Sequence, residues 1–259
     1  MRRIRVTLAW DGTAFHGWQV QSGLPTIQGV LEEIIGGLEG SPVHVAASGR
    51  TDAGVHARAQ VAAFTISNPI PAANLIRAVN RLLPPAIRVL DAMETHPEFH
   101  PRFDAIAKTY EYTIHRAPVC SPFAWPYVHH YPYPLDEAAM IACASLFEGE
   151  HDFTAFAASD NRDEPGKSKA RRIFNSVLLR SEDRLIYTVR GSGFLKHMVR
   201  NIVGTLIEIG RGNLDESGLE DFFSAKCEGK AGPTAPAKGL VLVSVEYPGE
   251  TPRDVNLIP

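Results

Sequence analysis

The stretch from Ser48 to Gln60, SGRTDAGVHARAQ, places one carboxylate, Asp52, beside Arg50 and between Gly49 and Gly54. Glycines allow tight backbone geometry, so such a turn can project Asp52 from the end of a strand. A nearby guanidinium favours the charged form of a carboxyl group. An acid held ionised and oriented acts as a nucleophile or a charge stabiliser rather than as a proton donor. The same residues also read as an Asx turn in which Asp52 only caps backbone N–H groups, and the spacing leaves both readings open.

Other chemistry is harder to build from these residues. His44, Asp52 and His56 have no zinc-ligand regularity, and His129 and His130 fall on opposite faces of an extended segment. No functional metal is expected. There is no GxxxxGK[ST] run, RGSGF (190–194) lacks the spacing of a dinucleotide fingerprint, and no GxSxG elbow occurs, so no cofactor is expected. Basic segments are more suggestive. RDEPGKSKARR (162–172) carries five Lys or Arg, Lys169 and Arg171 among them, against two acids, and could grip phosphates or simply be a solvated loop. Lys196, His197 and Arg200 stand at an expected helix start just after Gly191 and Gly193, where backbone N–H groups suit an anion. Phe15, Trp18 and Tyr110 could stack on bases, although most aromatics in such a chain fill core.

The elements that must position these groups follow from periodicity. RIRVTLAW (3–10) alternates, with Ile4, Val6 and Leu8 on one face, and reads as a strand. A glycine-rich polar loop follows. From Thr26, a plausible N-cap, Ile27, Val30, Leu31, Ile34, Ile35 and Leu38 keep helical spacing. VHVAAS (43–48) and QVAAFTI (60–66) read as strands on either side of the opening stretch. Leu75, Ile76, Val79, Leu82 and Leu83 form a helix stopped by Pro84 and Pro85, and IRVLDAMET (87–95) is a further strand. In the second half AKTYEYTIHR (107–116) alternates as a strand, 117–134 is a proline- and aromatic-rich loop, and 135–147 looks helical. Residues 171–191 read as two strands joined near Glu182 and Asp183. Leu195, Met198, Val199, Ile202, Val203, Leu206 and Ile207 make one helix face, with His197, Arg200, Asn201 and Gly204 as an adjacent stripe; LVLVSVEY (240–247) closes as a strand.

The class is α+β: two similar α/β subdomains, residues 1–102 carrying Asp52 and residues 103–259, divided near HPEFHPRFD (96–104) and sharing an extended, mostly antiparallel sheet. A chain of 259 residues, 44% hydrophobic and 21% charged, can bury a sizeable core. A net charge of -3 means that a polyanion ligand would need a local basic surface. Cys120, Cys143 and Cys227 are too few and too scattered for a disulfide framework, which fits reduced thiols in a cytoplasm. Asp11 and Gly12 interrupt any signal-peptide core, and no apolar run reaches membrane-span length, so a soluble protein with no membrane association is expected.

Five blocks, WDGTAFHGWQ, GRTDAGVHA, RFDAIAKTYEY, GFLKHMVRNIVGTL and APAKGLVLVSVEY, resemble in order the signature blocks of the tRNA pseudouridine synthase A (TruA) family, over nearly the whole chain. Trp10 departs from that pattern, where the family usually has Tyr, and the 161–172 loop falls where members vary. The resemblance implies an isomerase that converts uridine to pseudouridine at positions 38, 39 and 40 of the tRNA anticodon stem-loop, without metal or cofactor. It implies a homodimer whose two subunits both touch the tRNA, with each active site in a cleft between the two halves. Asp52 then matches the family's acid, Arg200 the arginine paired with it, and Tyr110 the tyrosine that stacks on the uracil. Arg50 matches a residue that fills the space of the flipped nucleotide, Leu240 one that packs against the base; Lys169, Arg171, Lys196 and His197 are candidate RNA contacts. The resemblance leaves open whether Asp52 attacks the base, attacks the sugar or promotes a glycal route. Two other classes remain: an RNA-binding module without catalysis, and a metal-dependent hydrolase built on His44, Asp52 and His56.

Overall fold

The structure, a computed structural model, describes residues 1–158, 168–223 and 231–250. The chain divides into two units, one of residues 1–106 with the returning chain from Val241, the other of Ala107–Leu240.

In the first unit β1 (Arg2–Trp10) buries every second residue, as its alternation requires. It pairs antiparallel with β4 (Ile87–Thr95) on one side and β3 (His56–Ile66) on the other. β2, only Ala46–Ala47, adds to β3. β10 (Leu240–Glu246) lies parallel to β3, with Val241 opposite His56 and Leu242 opposite Ala57, so the last strand in sequence contributes to the first unit. α1 (Ile27–Glu39) starts where the Thr26 side chain accepts from Gly29 N, and ends at Gly40, which takes the left-handed conformation at φ 78 and returns its N–H to Gly36 O. α2 (Ala72–Leu82) stops one residue short of Leu83, as Pro84 demands. Leu31 and Ile35 of α1 and Leu75 and Val79 of α2 face Val6, Phe64 and Val89 of the sheet. Each such side chain contributes about 1.5–3 kcal/mol by leaving water.

In the second unit β5 (Ala107–His115), β9 (Arg184–Gly191), β8 (Ala170–Ser181) and β7 (Gly149–Asp152) pair antiparallel in that order. Ser181 pairs with Arg184 around a turn in which Glu182 has φ 49. β6 (His129–His130) runs parallel to β5 out of the aromatic loop. The segment expected to be one helix over 135–147 is α3 (Glu137–Ala144), capped by Asp136, followed by a 3-10 turn at Ser145–Phe147. α4 (Met198–Gly210) begins three residues after Leu195, because His197 sits at φ 62 and a left-handed residue cannot continue a right-handed helix. α5 (Glu216–Asp221) follows. Phe147, Phe153, Phe156, Tyr187 and Leu206 are almost fully buried between helices and sheet. Tyr187 keeps its hydroxyl satisfied at 2.7 Å from Ser176 Oγ, which donates to Ala144 O.

Candidate active site

Asp52 lies in the loop between β2 and β3, and the loop after β1 cradles it. Trp18 N–H donates to Thr51 O at 3.1 Å, Gly54 N–H to Phe15 O at 3.2 Å, and Val55 N–H closes the turn onto Asp52 O at 3.2 Å. Trp10 Nε1–H donates to Val55 O at 3.0 Å. Two glycines permit this approach. A Cβ on Gly12 would stand 2.2 Å from Val55 O, and one on Gly17, which has φ +84, would stand 2.4 Å from Thr51 O. The N-terminal edge of the turn is fixed as well. Ser48 N–H donates to Val61 O, and Gln60, fully buried, donates from Nε2 to Gly49 O at 2.9 Å. Asp52 is therefore presented half-buried from a rigid turn, with Arg50 exposed two residues away.

Of the two readings open for Phe15 and Trp18, stacking on bases or filling core, the structure supports core: they are 8% and 2% exposed and lie under this turn. Trp18 packs on Trp10 with ring centroids 5.8 Å apart, so Trp10 uses its larger ring and its N–H to support the Asp52 loop. The histidines of the metal hypothesis have other partners: His44 Nδ1 lies 2.9 Å from Glu32 Oε1, and His56 Nδ1 accepts from Gly12 N at 3.0 Å. Asp11 Oδ1 lies 3.3 Å from the same His56 nitrogen, which can accept from Gly12 or donate to Asp11 but not both. Among the described residues no group of three or more His, Cys, Asp or Glu is placed to hold a metal ion.

In the second unit Tyr110 and Tyr112 share the buried face of β5. The Tyr110 ring meets Phe194 edge-on at 5.1 Å. Tyr112 donates its hydroxyl to Pro236 O at 2.8 Å; burial holds its pKa far above the ordinary phenol value, and the Arg200 charge opposes that rise. Arg200, on the first turn of α4, donates from Nε to Ala235 O at 2.8 Å. Lys196 is exposed ahead of the helix, and His197 is half-buried at its N-cap. Leu240, 6% exposed, follows the 3-10 turn Ala237–Gly239 into β10. Lys169 and Arg171 lie where β8 begins, with Phe153 N–H donating to Lys169 O; residues 162–167 of that basic segment, and Cys227, lie outside the described residues.

A family model described as tRNA pseudouridine synthase matches residues 8–104 and 143–248. The protein named tRNA pseudouridine synthase A from Solibacter usitatus is 70% identical over 247 residues, covering 95% of this chain and 100% of that protein. The chain belongs to the tRNA pseudouridine synthase A family. Relatives of the same name from Pelobacter propionicus and Syntrophotalea carbinolica are 46% and 41% identical, each over 95% of this chain.

In this tRNA pseudouridine synthase A family member, three further groups stand on elements next to those that carry Tyr110, Arg200 and Leu240. His129 is pushed down to about 4, first by burial and then by Lys238 and His130. The Lys238 ammonium sits 3.4 Å over the Trp125 ring, beside the turn that leads to Leu240. Thr234 Oγ1 donates to Asn201 Oδ1 at 2.6 Å. The segment 231–236 has no periodicity, so nothing in its spacing marks it as packed on α4. Gly204, in the middle of an apolar helix, is its one sequence trace. Among the described residues no helix is long and apolar enough to cross a membrane.

Proposed function

We infer that this chain is a tRNA pseudouridine synthase, an isomerase that converts uridine to pseudouridine at positions 38, 39 and 40 of the anticodon stem-loop. The observation that carries this reading is the rigid presentation of Asp52 by the β1 loop in a chain 70% identical to a protein of that name.

The reaction leaves the composition of the nucleotide unchanged. The N1–C1′ bond breaks, the uracil turns, C5 bonds to C1′, and the proton on C5 leaves for solvent as N1 gains one. The step needs a carboxylate of fixed orientation, and Asp52 supplies it. Arg200 serves as the arginine paired with the acid, and orients it. Tyr110 holds the base and stands available to the C5 proton. Leu240 packs against the uracil. Arg50 occupies the place the nucleotide leaves on flipping, which offsets part of the few kcal/mol that unstacking costs. Lys169, Arg171, Lys196 and His197 contact the RNA backbone, so affinity falls with salt. Metal and cofactor play no part in this scheme. The protein acts as a homodimer in the cytoplasm, with both subunits touching one tRNA, a reading that rests on the family likeness.

The test uses unmodified tRNA tritiated at uridine C5. Tritium release that persists in EDTA supports the synthase. Binding without release would support an RNA-binding module instead, and EDTA-sensitive strand cleavage a hydrolase.

A further inference from the structure

A strap of chain, residues 231–239, lies along one face of α4 and ends at Leu240. Gly232 N–H donates to Thr205 Oγ1 at 3.0 Å. Thr234 Oγ1 donates to Asn201 Oδ1, and Asn201, 8% exposed, donates from Nδ2 to Phe156 O at 2.7 Å. These bonds use both ends of the amide and set its orientation. Ala235 joins Arg200 twice: its N–H donates to Arg200 O at 3.1 Å, and its carbonyl accepts from Arg200 Nε at 2.8 Å. Residues 200, 201, 204 and 205 fall on one face of α4, as the i, i+4 spacing requires. Gly204 leaves the space that the strap fills, since a Cβ there would stand 1.6 Å from Pro233 O. Downstream, Pro236 O accepts from the Tyr112 hydroxyl, and Gly239 lies against the Tyr112 ring, where a Cβ would come within 2.6 Å of Cζ.

We propose that Thr234 and Asn201 are positioning residues for the isomerisation: their hydrogen bond clamps the strap to α4, and the clamped Ala235 carbonyl fixes the rotamer of Arg200. An arginine side chain carries roughly 2 kcal/mol of rotamer entropy, so a fixed Nε contact settles beforehand where the guanidinium points. The same strap delivers Leu240, so one device orients two of the groups that the reading above assigns to the reaction. The proposal rests on that reading for the role of Arg200.

The test is a double-mutant cycle on the full chain, read as the single-turnover rate of tritium release and, separately, as tRNA affinity. Thr234 is exposed, so Thr234→Val leaves the core intact. Thr234→Val lowers the rate about tenfold and changes affinity less than about twofold, because a displaced group costs turnover rather than uniform binding. Thr234→Ser, which keeps the hydroxyl, restores most of the rate. In an Arg200→Lys background, where the Nε contact is already lost, Thr234→Val has little further effect. An unchanged rate in Thr234→Val, or an effect that multiplies with that of Arg200→Lys, overturns the proposal while leaving the Asp52 reading in place. If Asp52→Ala keeps wild-type release, the reading itself falls, and the proposal falls with it.

Discussion

Gly12 N–H donates to His56 Nδ1 at 3.0 Å, which ties the loop after β1 to the first residue of β3 on the far side of the Asp52 turn. His56 is 6% exposed, so removing the ring strands a buried donor. That costs about 1–3 kcal/mol. His56→Ala is expected to lower the urea midpoint and the rate together. His56→Asn, whose Oδ1 can stand in for Nδ1, is expected to recover part of both. Unchanged stability in His56→Ala would show that the ring does not hold this loop.

Gly17→Ala tests the cradle from the other side. Left-handed backbone costs a non-glycine residue about 1–2 kcal/mol. The added Cβ also meets Thr51 O at 2.4 Å, and backbone cannot step aside cheaply. Activity is therefore expected to fall by more than the loss of stability explains. Gly23, at φ +73 with nothing within 4 Å, is the control: Gly23→Ala carries the conformational cost and leaves the rate unchanged. Thermal melts and release rates on the two variants decide.

Gly204→Ala reverses the usual sign of a helix substitution. Alanine ordinarily favours a helix over glycine by about 1 kcal/mol. Gly37 in α1 has open space around its Cβ position, so Gly37→Ala is expected to stabilise the protein. In Gly204→Ala the methyl group would overlap Pro233 O, and the melting temperature is expected to drop. A rise in both variants would mean that the strap does not pack on α4 as described.

His129 gives a pH dependence. Burial, with help from Lys238 and His130, lowers its pKa from 6.5 to about 4. Below 6.5 the unfolded chain takes up a proton that the folded chain refuses, so stability falls as pH drops from about 6.5 to about 4, and levels off for this group below that. His129→Asn is expected to flatten that part of the melting-temperature profile relative to the wild type. Parallel profiles for the two proteins would count against a half-buried His129 that stays neutral in the folded chain.

Much of this was legible in the sequence, for identifiable reasons. Alternation in 3–10 marks β1 because one face is buried, and Thr26 and Pro84 bound their helices through backbone hydrogen bonding that any fold must satisfy. The turn around Asp52 was legible as a turn, but its support was not: Phe15 and Trp18 could be read as stacking surfaces or as core, and are core, since an aromatic ring carries no mark of what it packs on. β7, Gly149–Asp152, has no apolar alternation and exists because β8 offers it a pairing edge. The strap on α4 is held by four hydrogen bonds, two to backbone carbonyls and two to side-chain oxygens, and by one missing Cβ, none of which spacing reveals. The start of α4 was set too early because apolar Leu195 fits the helical period, whereas the conformation of His197 decides the boundary.

The most direct measurement is single-turnover release of tritium from tRNA labelled at uridine C5, comparing the wild type with Asp52→Asn, which keeps the size of the side chain and removes its charge. The account expects release from the wild type, with or without EDTA, and none above background from Asp52→Asn, while tRNA binding is retained. Release from Asp52→Asn at a rate near that of the wild type would contradict it.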